Sequence, residues 1–144
     1  MVHLSQVDLQ QRQYAALAPV FALAGVFIHP SASTLIPFIL FFIFRKLNKP
    51  FAEGVALRTA DLAFTIQLAI MLFSLGLRLA LFFISISTQL ASQLMSLFTV
   101  IVLVYFAVSL VIGGVQAVRG QVFRYWVSFR IAERIFTALD KKPR

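Results

Sequence analysis

The longest apolar run in the chain extends from Leu62 to Val118, with no proline and with Arg78 as its one charge. As a single straight helix it would be roughly 85 Å long at 1.5 Å per residue, against a hydrocarbon core of about 30 Å. The run therefore has to fold back, and the polar cluster Ser85-Ile86-Ser87-Thr88-Gln89-Leu90-Ala91-Ser92-Gln93 is the place for it. This predicts two membrane helices, over 56–86 and 92–118, with Val55 to Asp61 as a more polar lead and Asp61 in the first turn.

Upstream lie two shorter apolar segments, 14–28 containing Pro19 and Gly25, and 33–46 containing Pro37, separated by His29-Pro30-Ser31-Ala32-Ser33. A full span takes about 17 to 25 residues. The pair reads either as two short or tilted spans or as a hairpin that enters and leaves on one side. Residues 1–13 are a polar, glutamine-rich lead, and Arg45-Lys46-Leu47-Asn48-Lys49-Pro50 begins a basic loop ahead of the long pair. The tail, 121–139, reads as an amphipathic helix. Val127, Ile131, Ala132, Ile135, Phe136 and Leu139 share one wide face, opposite Arg130, Glu133, Arg134 and Thr137. The predicted fold class is an all-α integral membrane protein: four hydrophobic helices, the first two short, plus an interfacial helix at the C-terminus.

Composition agrees with this pattern. The chain is 60% hydrophobic and 12% charged, where a soluble domain carries about 25% charged residues. So much apolar surface cannot be hidden from water in a chain of this size, and residues 1–144 read as a single membrane domain. The net charge of +8 would also suit nucleic acid, but the apolar background and the placement of the basic residues point to anionic lipid headgroups instead. With no cysteine, disulfides and thiolate metal sites are excluded. No basic segment, apolar core and cleavage site follow one another at the start, so insertion through the chain's own helices is expected.

Charge placement predicts topology. Arg12 precedes the first segment, Arg45, Lys46, Lys49 and Arg58 flank the second loop, and Arg119, Arg124, Arg130, Arg134, Lys141, Lys142 and Arg144 follow the last helix. The turns 29–33 and 85–93 carry no lysine or arginine. The chain is expected to be a multi-pass inner-membrane protein, and by the positive-inside rule both termini are cytoplasmic, with anionic headgroups at its cytoplasmic face.

Three groups of residues are candidates for function. Gln67, Ser74, Arg78 and Ser85 form one polar stripe on the third helix. The stripe either lines a polar path or binds an anionic group, or else it serves structure, Arg78 reaching outward to phosphates while Gln67 and Ser74 bond to neighbouring helices. Ser92, Ser96, Thr99, Ser109, Gly113 and Gly114 lie on one broad side of the fourth helix, where small residues let a second helix approach. Arg119, Arg124, Tyr125, Trp126, Arg130 and Arg134 suit a lipid or partner interface, the two aromatics at belt depth. His3 and His29 fall on opposite predicted sides and cannot share a metal. No catalytic set, phosphate loop or metal motif is present in the sequence, so neither a cofactor nor an enzyme is expected. The expected function is that of an accessory or assembly subunit, working with other membrane subunits or a second copy. The alternative is an oligomeric transporter or protein-translocation component with a polar path along the third helix.

The run Pro50-Phe51-Ala52-Glu53, followed by Asp61 and Thr65, and then Gly120-Gln121-Val122-Phe123-Arg124-Tyr125 with Ser128-Phe129-Arg130, resembles the Tic-twenty-like family of small bacterial membrane proteins, related to a chloroplast inner-envelope import component. The resemblance takes in His3-Leu4-Ser5 and spans most of the chain. It implies four helices with both ends cytoplasmic and an accessory role in a transport or secretion complex.

Overall fold

The computed structural model describes residues 9–84, 86–126 and 128. Among them are four helices and no strand: α1 (Leu9–Ile28), α2 (Ala32–Lys46), α3 (Pro50–Phe83) and α4 (Thr88–Val118). Helices are what an apolar chain forms in lipid, because each satisfies its backbone groups internally. α3 has 34 residues and α4 has 31, and both are apolar enough to cross a membrane. Only 6% and 17% of the residues in their most apolar windows are buried by the rest of the chain. A core helix of a soluble protein would be mostly covered, so these apolar surfaces belong in a bilayer.

Helix boundaries follow local signals that were read too narrowly in the sequence. α3 starts at Pro50 and not at 56, because proline fits the first helical position and the Lys49 carbonyl accepts the Glu53 N–H at 2.9 Å. Glu53 is thus the acidic residue of the first turn, next to the positive end of the helix. Asp61, expected in that turn, is instead well inside the helix and buried. α4 starts at Thr88 and not at 92, since the Ser87 hydroxyl caps it by accepting the Leu90 N–H at 3.2 Å. α1 begins at Leu9, so the end of the polar lead is already helical. Residues 121–126 are not helical. Apart from Ser128, the rest of the amphipathic tail, Arg130 and Arg134 included, lies outside the described residues, as do residues 1–8 and Ser85.

α2 and α4 end alike. In each, two N–H groups just past the helix return to its last carbonyls: Asn48 to Arg45 and Lys49 to Phe44, and Gly120 to Ala117 and Gln121 to Gln116. The motif needs a left-handed residue, supplied by Asn48 (φ 52) and Gly120 (φ 75). Asn48→Val is expected to cost about 1–2 kcal/mol, and Asn48→Gly to be neutral or mildly stabilising. Unfolding titrations in detergent micelles check the order.

α1 packs against all three other helices, whereas α2 rests on α1 and α3 and does not reach α4. α1 can occupy this position because Ala15, Ala18, Ala22 and Gly25, spaced by three and four, are all buried and small. At Gly25 the backbone of α2 comes so close that an added Cβ would lie 2.8 Å from the Ser33 nitrogen. Around this stripe the core forms two layers. Phe41, Phe44, Val55 and Leu57 fill the lower one, and Leu62, Ile66, Phe106 and Leu110 the upper.

The α1–α2 hairpin turns at residues 29–31, and its tip abuts the middle of α3. There the Gln67 Nε2 donates to the Pro30 carbonyl and, at 3.4 Å, to the Ser33 hydroxyl. α3 continues to Phe83, roughly 24 Å further at 1.5 Å per residue, accompanied by α4 and joined to it by the stacked rings of Phe73 and Phe98, 4.0 Å apart. The described residues therefore form a four-helix lower tier and a two-helix upper tier.

Candidate functional site

The step between the tiers leaves a cleft of ≈ 1000 Å³. Its floor is the hairpin tip with Pro30, and one wall carries Gln67, Ser74 and Arg78 from α3. The facing wall is α4, with Met95 and Thr99. Three of the four residues of the predicted polar stripe thus share one cavity, while Ser85 lies outside the described residues. They do not make a continuous polar path. Gln67 is committed to the hairpin tip, and the Thr99 hydroxyl donates back to the Met95 carbonyl at 2.8 Å. Arg78 is exposed, and no described residue forms a hydrogen bond or ion pair with it. At the tip, His29 Nδ1 lies 2.7 Å from the Ser31 hydroxyl. No group of three or more His, Asp or Glu side chains gathers among the described residues.

The small-residue side of α4 divides at the same step. Ser109 and Gly113 are buried in the lower tier, and Gly114 faces Pro19 of α1. In the upper tier Ser92 and Ser96 are exposed and Thr99 is half-buried.

A second constellation lies below the cleft. After Gly120, where an added Cβ would sit 2.8 Å from the Arg12 Nε, residues 121–126 run back against the bundle. Tyr125 is only 5% exposed. Its ring lies edge-on to Phe123 at 5.1 Å, and its hydroxyl is 3.5 Å from that of Thr59. The Thr59 proton is directed to the Val55 carbonyl at 2.9 Å, which leaves Tyr125 as the donor to Thr59. Gly113 makes the seat, since any Cβ there would overlap the tyrosine hydroxyl. The expectation that Tyr125 lies in an interfacial belt is therefore corrected: it is a core residue. Its neighbour Trp126 is 93% exposed, and Arg119 and Arg124 are exposed as well.

Burial raises the Tyr125 phenol above its usual pKa, with the Thr59 hydrogen bond and the Arg58 charge partly opposing the shift. A folded pKa above the unfolded value of about 10 means that the associated stability is complete below that pH and is lost as pH rises through the folded value. Stability measured against pH should fall above about pH 10 by more in the wild type than in Tyr125→Phe.

Two of these features went unread in the sequence. The α1 stripe was legible as four small residues at helical spacing. The Thr59–Tyr125 contact joins residues far apart in the chain, and no local pattern announces it.

Comparison with known proteins identifies the family. The MamF/MmsF model, the magnetosome magnetite crystal formation protein family, matches residues 10–132. No curated protein and no solved structure matches the chain. The match overturns the Tic-twenty-like resemblance, whose quoted motifs from Pro50 to Arg130 all lie within the matched span. Those motifs have plain structural causes: Pro50 opens a helix, Gly120 closes one and Tyr125 fills the core. The chain belongs to the MamF/MmsF family, and so to the small membrane proteins of magnetosome crystal formation.

Proposed function

We propose, starting from that membership, that the chain is a non-enzymatic, membrane-embedded accessory in magnetite crystal formation. In this reading α3 and α4 are full crossings, and α1 and α2 form a hairpin that enters from the cytoplasm and turns back at mid-depth. The observation that carries it is the docking of the hairpin tip on Gln67. Arg58 and Arg78 are separated by about 30 Å along α3, the thickness of the hydrocarbon core, and Gln67 stands near the middle of that interval. α2, with 15 residues, is about 22 Å long and too short to cross.

Arg12, Arg45, Lys46, Lys49 and Arg119 lie at the helix ends away from the α3–α4 connection, which by the positive-inside rule supports a topology with those ends facing the cytoplasm. The opposite turn faces the mineral side and carries hydroxyl and amide groups but no charge. An organising role in the membrane, with other subunits approaching the exposed Ser92 and Ser96 side of α4, follows more naturally than iron coordination by carboxylates. The occupied Gln67 also weighs against a transport path.

Electron microscopy of magnetite-forming cells that lack the chain should show crystals of altered size or number, restored by the wild-type protein. Unchanged crystals would remove the reading. A ferrous-ion flux in vesicles that depends on Gln67 and Arg78 would replace it with transport.

A further inference from the structure

In this half-depth arrangement the cleft occupies the leaflet that the hairpin does not reach. Arg78 stands at its upper rim and Pro30 forms its floor. Between the levels of Arg78 and Gln67 the drop along α3 is roughly 16 Å, about half of a 30 Å hydrocarbon core and so the depth of one leaflet. Below Arg78 the walls are chiefly apolar: Ile70, Met71 and Leu75 on α3, Met95 and Leu103 on α4. Such a space does not stay empty in a bilayer, and a hydrocarbon chain is the filling that its lining favours.

We propose that this cleft is a phospholipid site of the far leaflet. The lipid's anionic headgroup is held by Arg78, and one acyl chain descends between α3 and α4 to rest on the hairpin tip. Charge complementarity selects the headgroup. Arg78 is the only charged residue between Leu62 and Val118, and no described residue pairs with it. A guanidinium at the edge of a low-dielectric slot binds a phosphate through paired N–H groups, and a net negative headgroup adds to that attraction. The lipid would complete the upper tier on the side where α1 and α2 are missing, giving the protein a preference for membranes rich in anionic lipid.

The test is native mass spectrometry of the full chain, extracted mildly from vesicles of mixed phosphatidylglycerol and phosphatidylcholine. One tightly retained phosphatidylglycerol is expected. Arg78→Gln should reduce its retention roughly tenfold or more, and Arg78→Lys by less. Thr99→Phe, which narrows the cleft between α3 and α4 and keeps the charge, should weaken retention of the lipid as well. Arg119→Gln, at the cytoplasmic end, should leave it in place, which separates this site from headgroups bound at the basic face.

Equal retention of phosphatidylcholine, or retention unaffected by both Arg78→Gln and Thr99→Phe, would overturn the proposal. So would inorganic phosphate competing the lipid away, since that would assign the site to a free anion. The inference rests on the half-depth hairpin. A cysteine at position 31 that is reached from the far side removes both, whereas lost lipid selectivity with position 31 still shielded removes only the lipid.

Discussion

Replacing Tyr125 with alanine is expected to destabilise the folded chain by about 3–5 kcal/mol, the range for deleting a buried aromatic ring. The ring occupies a seat shaped by the absent side chain of Gly113, with Phe123 edge-on and Thr59 beneath the hydroxyl. It joins the segment after α4 to the middle of the bundle, so its loss leaves a cavity and also frees residues 121–126 from the core. Tyr125→Phe should cost only about 0.5–1.5 kcal/mol, the worth of one hydrogen bond. Gly113→Ala attacks the same seat from the other side by driving a methyl group into the tyrosine hydroxyl. Combined with Tyr125→Phe, it should be less harmful than the sum of the two single changes, because the nearest clashing atom is gone. Reversible unfolding in mixed micelles gives all four values. Equal losses for the alanine and phenylalanine variants would show that ring packing is not what holds the segment.

The second large effect is expected at Gly25. Its ideal Cβ lies 2.8 Å from the Ser33 nitrogen and 2.9 Å from the Ala32 carbonyl carbon. Both are backbone atoms and cannot rotate away as a side chain would. Gly25→Ala should therefore cost about 1–3 kcal/mol, as overpacking does, and Gly25→Leu more. The hairpin opens at its tip as a result, and Ser33 and Pro30 move away from Gln67. Spin labels at positions 21 and 39, on exposed sites of α1 and α2, should report a longer distance in Gly25→Leu than in the wild type. An unchanged distance together with unchanged stability would mean that α1 and α2 do not need this close approach.

What could be read in the sequence was set by how local each cause is. The turn at 85–93 and the long helices on either side of it follow from one apolar run that exceeds the membrane thickness, and the structure has α3 and α4 there. Their starts lie upstream of where apolar content alone puts them, because capping and not hydropathy sets a helix's first turn. Pro50 and Ser87 are the stronger signals, and each sits several residues upstream of the first dense apolar stretch. The polar stripe was legible as helical spacing, and Gln67, Ser74 and Arg78 do share one wall of the cleft. That Gln67 bonds to a neighbouring helical element was legible as well, but its particular partner was not, since Pro30 and Ser33 belong to a separate hairpin. Tyr125 was misassigned for a similar reason: beside Trp126 it looks like an aromatic belt, and only the return of the chain after Gly120 carries it inward. The family resemblance was misled by residues such as Pro50 and Gly120, whose chemistry marks helix ends in many unrelated proteins.

The two-tier arrangement depends on where the α1–α2 hairpin ends, and the chain is suited to settling this because it has no native cysteine. Single cysteines at positions 31, 46 and 87, probed in sealed vesicles with a membrane-impermeant thiol reagent, sample the hairpin tip, its base and the α3–α4 turn. A hairpin that turns at mid-depth predicts labelling of Lys46→Cys from the cytoplasmic side only and of Ser87→Cys from the far side only. Ser31→Cys should be reached from neither side until detergent is added. Labelling of Ser31→Cys from the far side, at a rate like that of Ser87→Cys, would make α1 and α2 full crossings and contradict the two-tier arrangement.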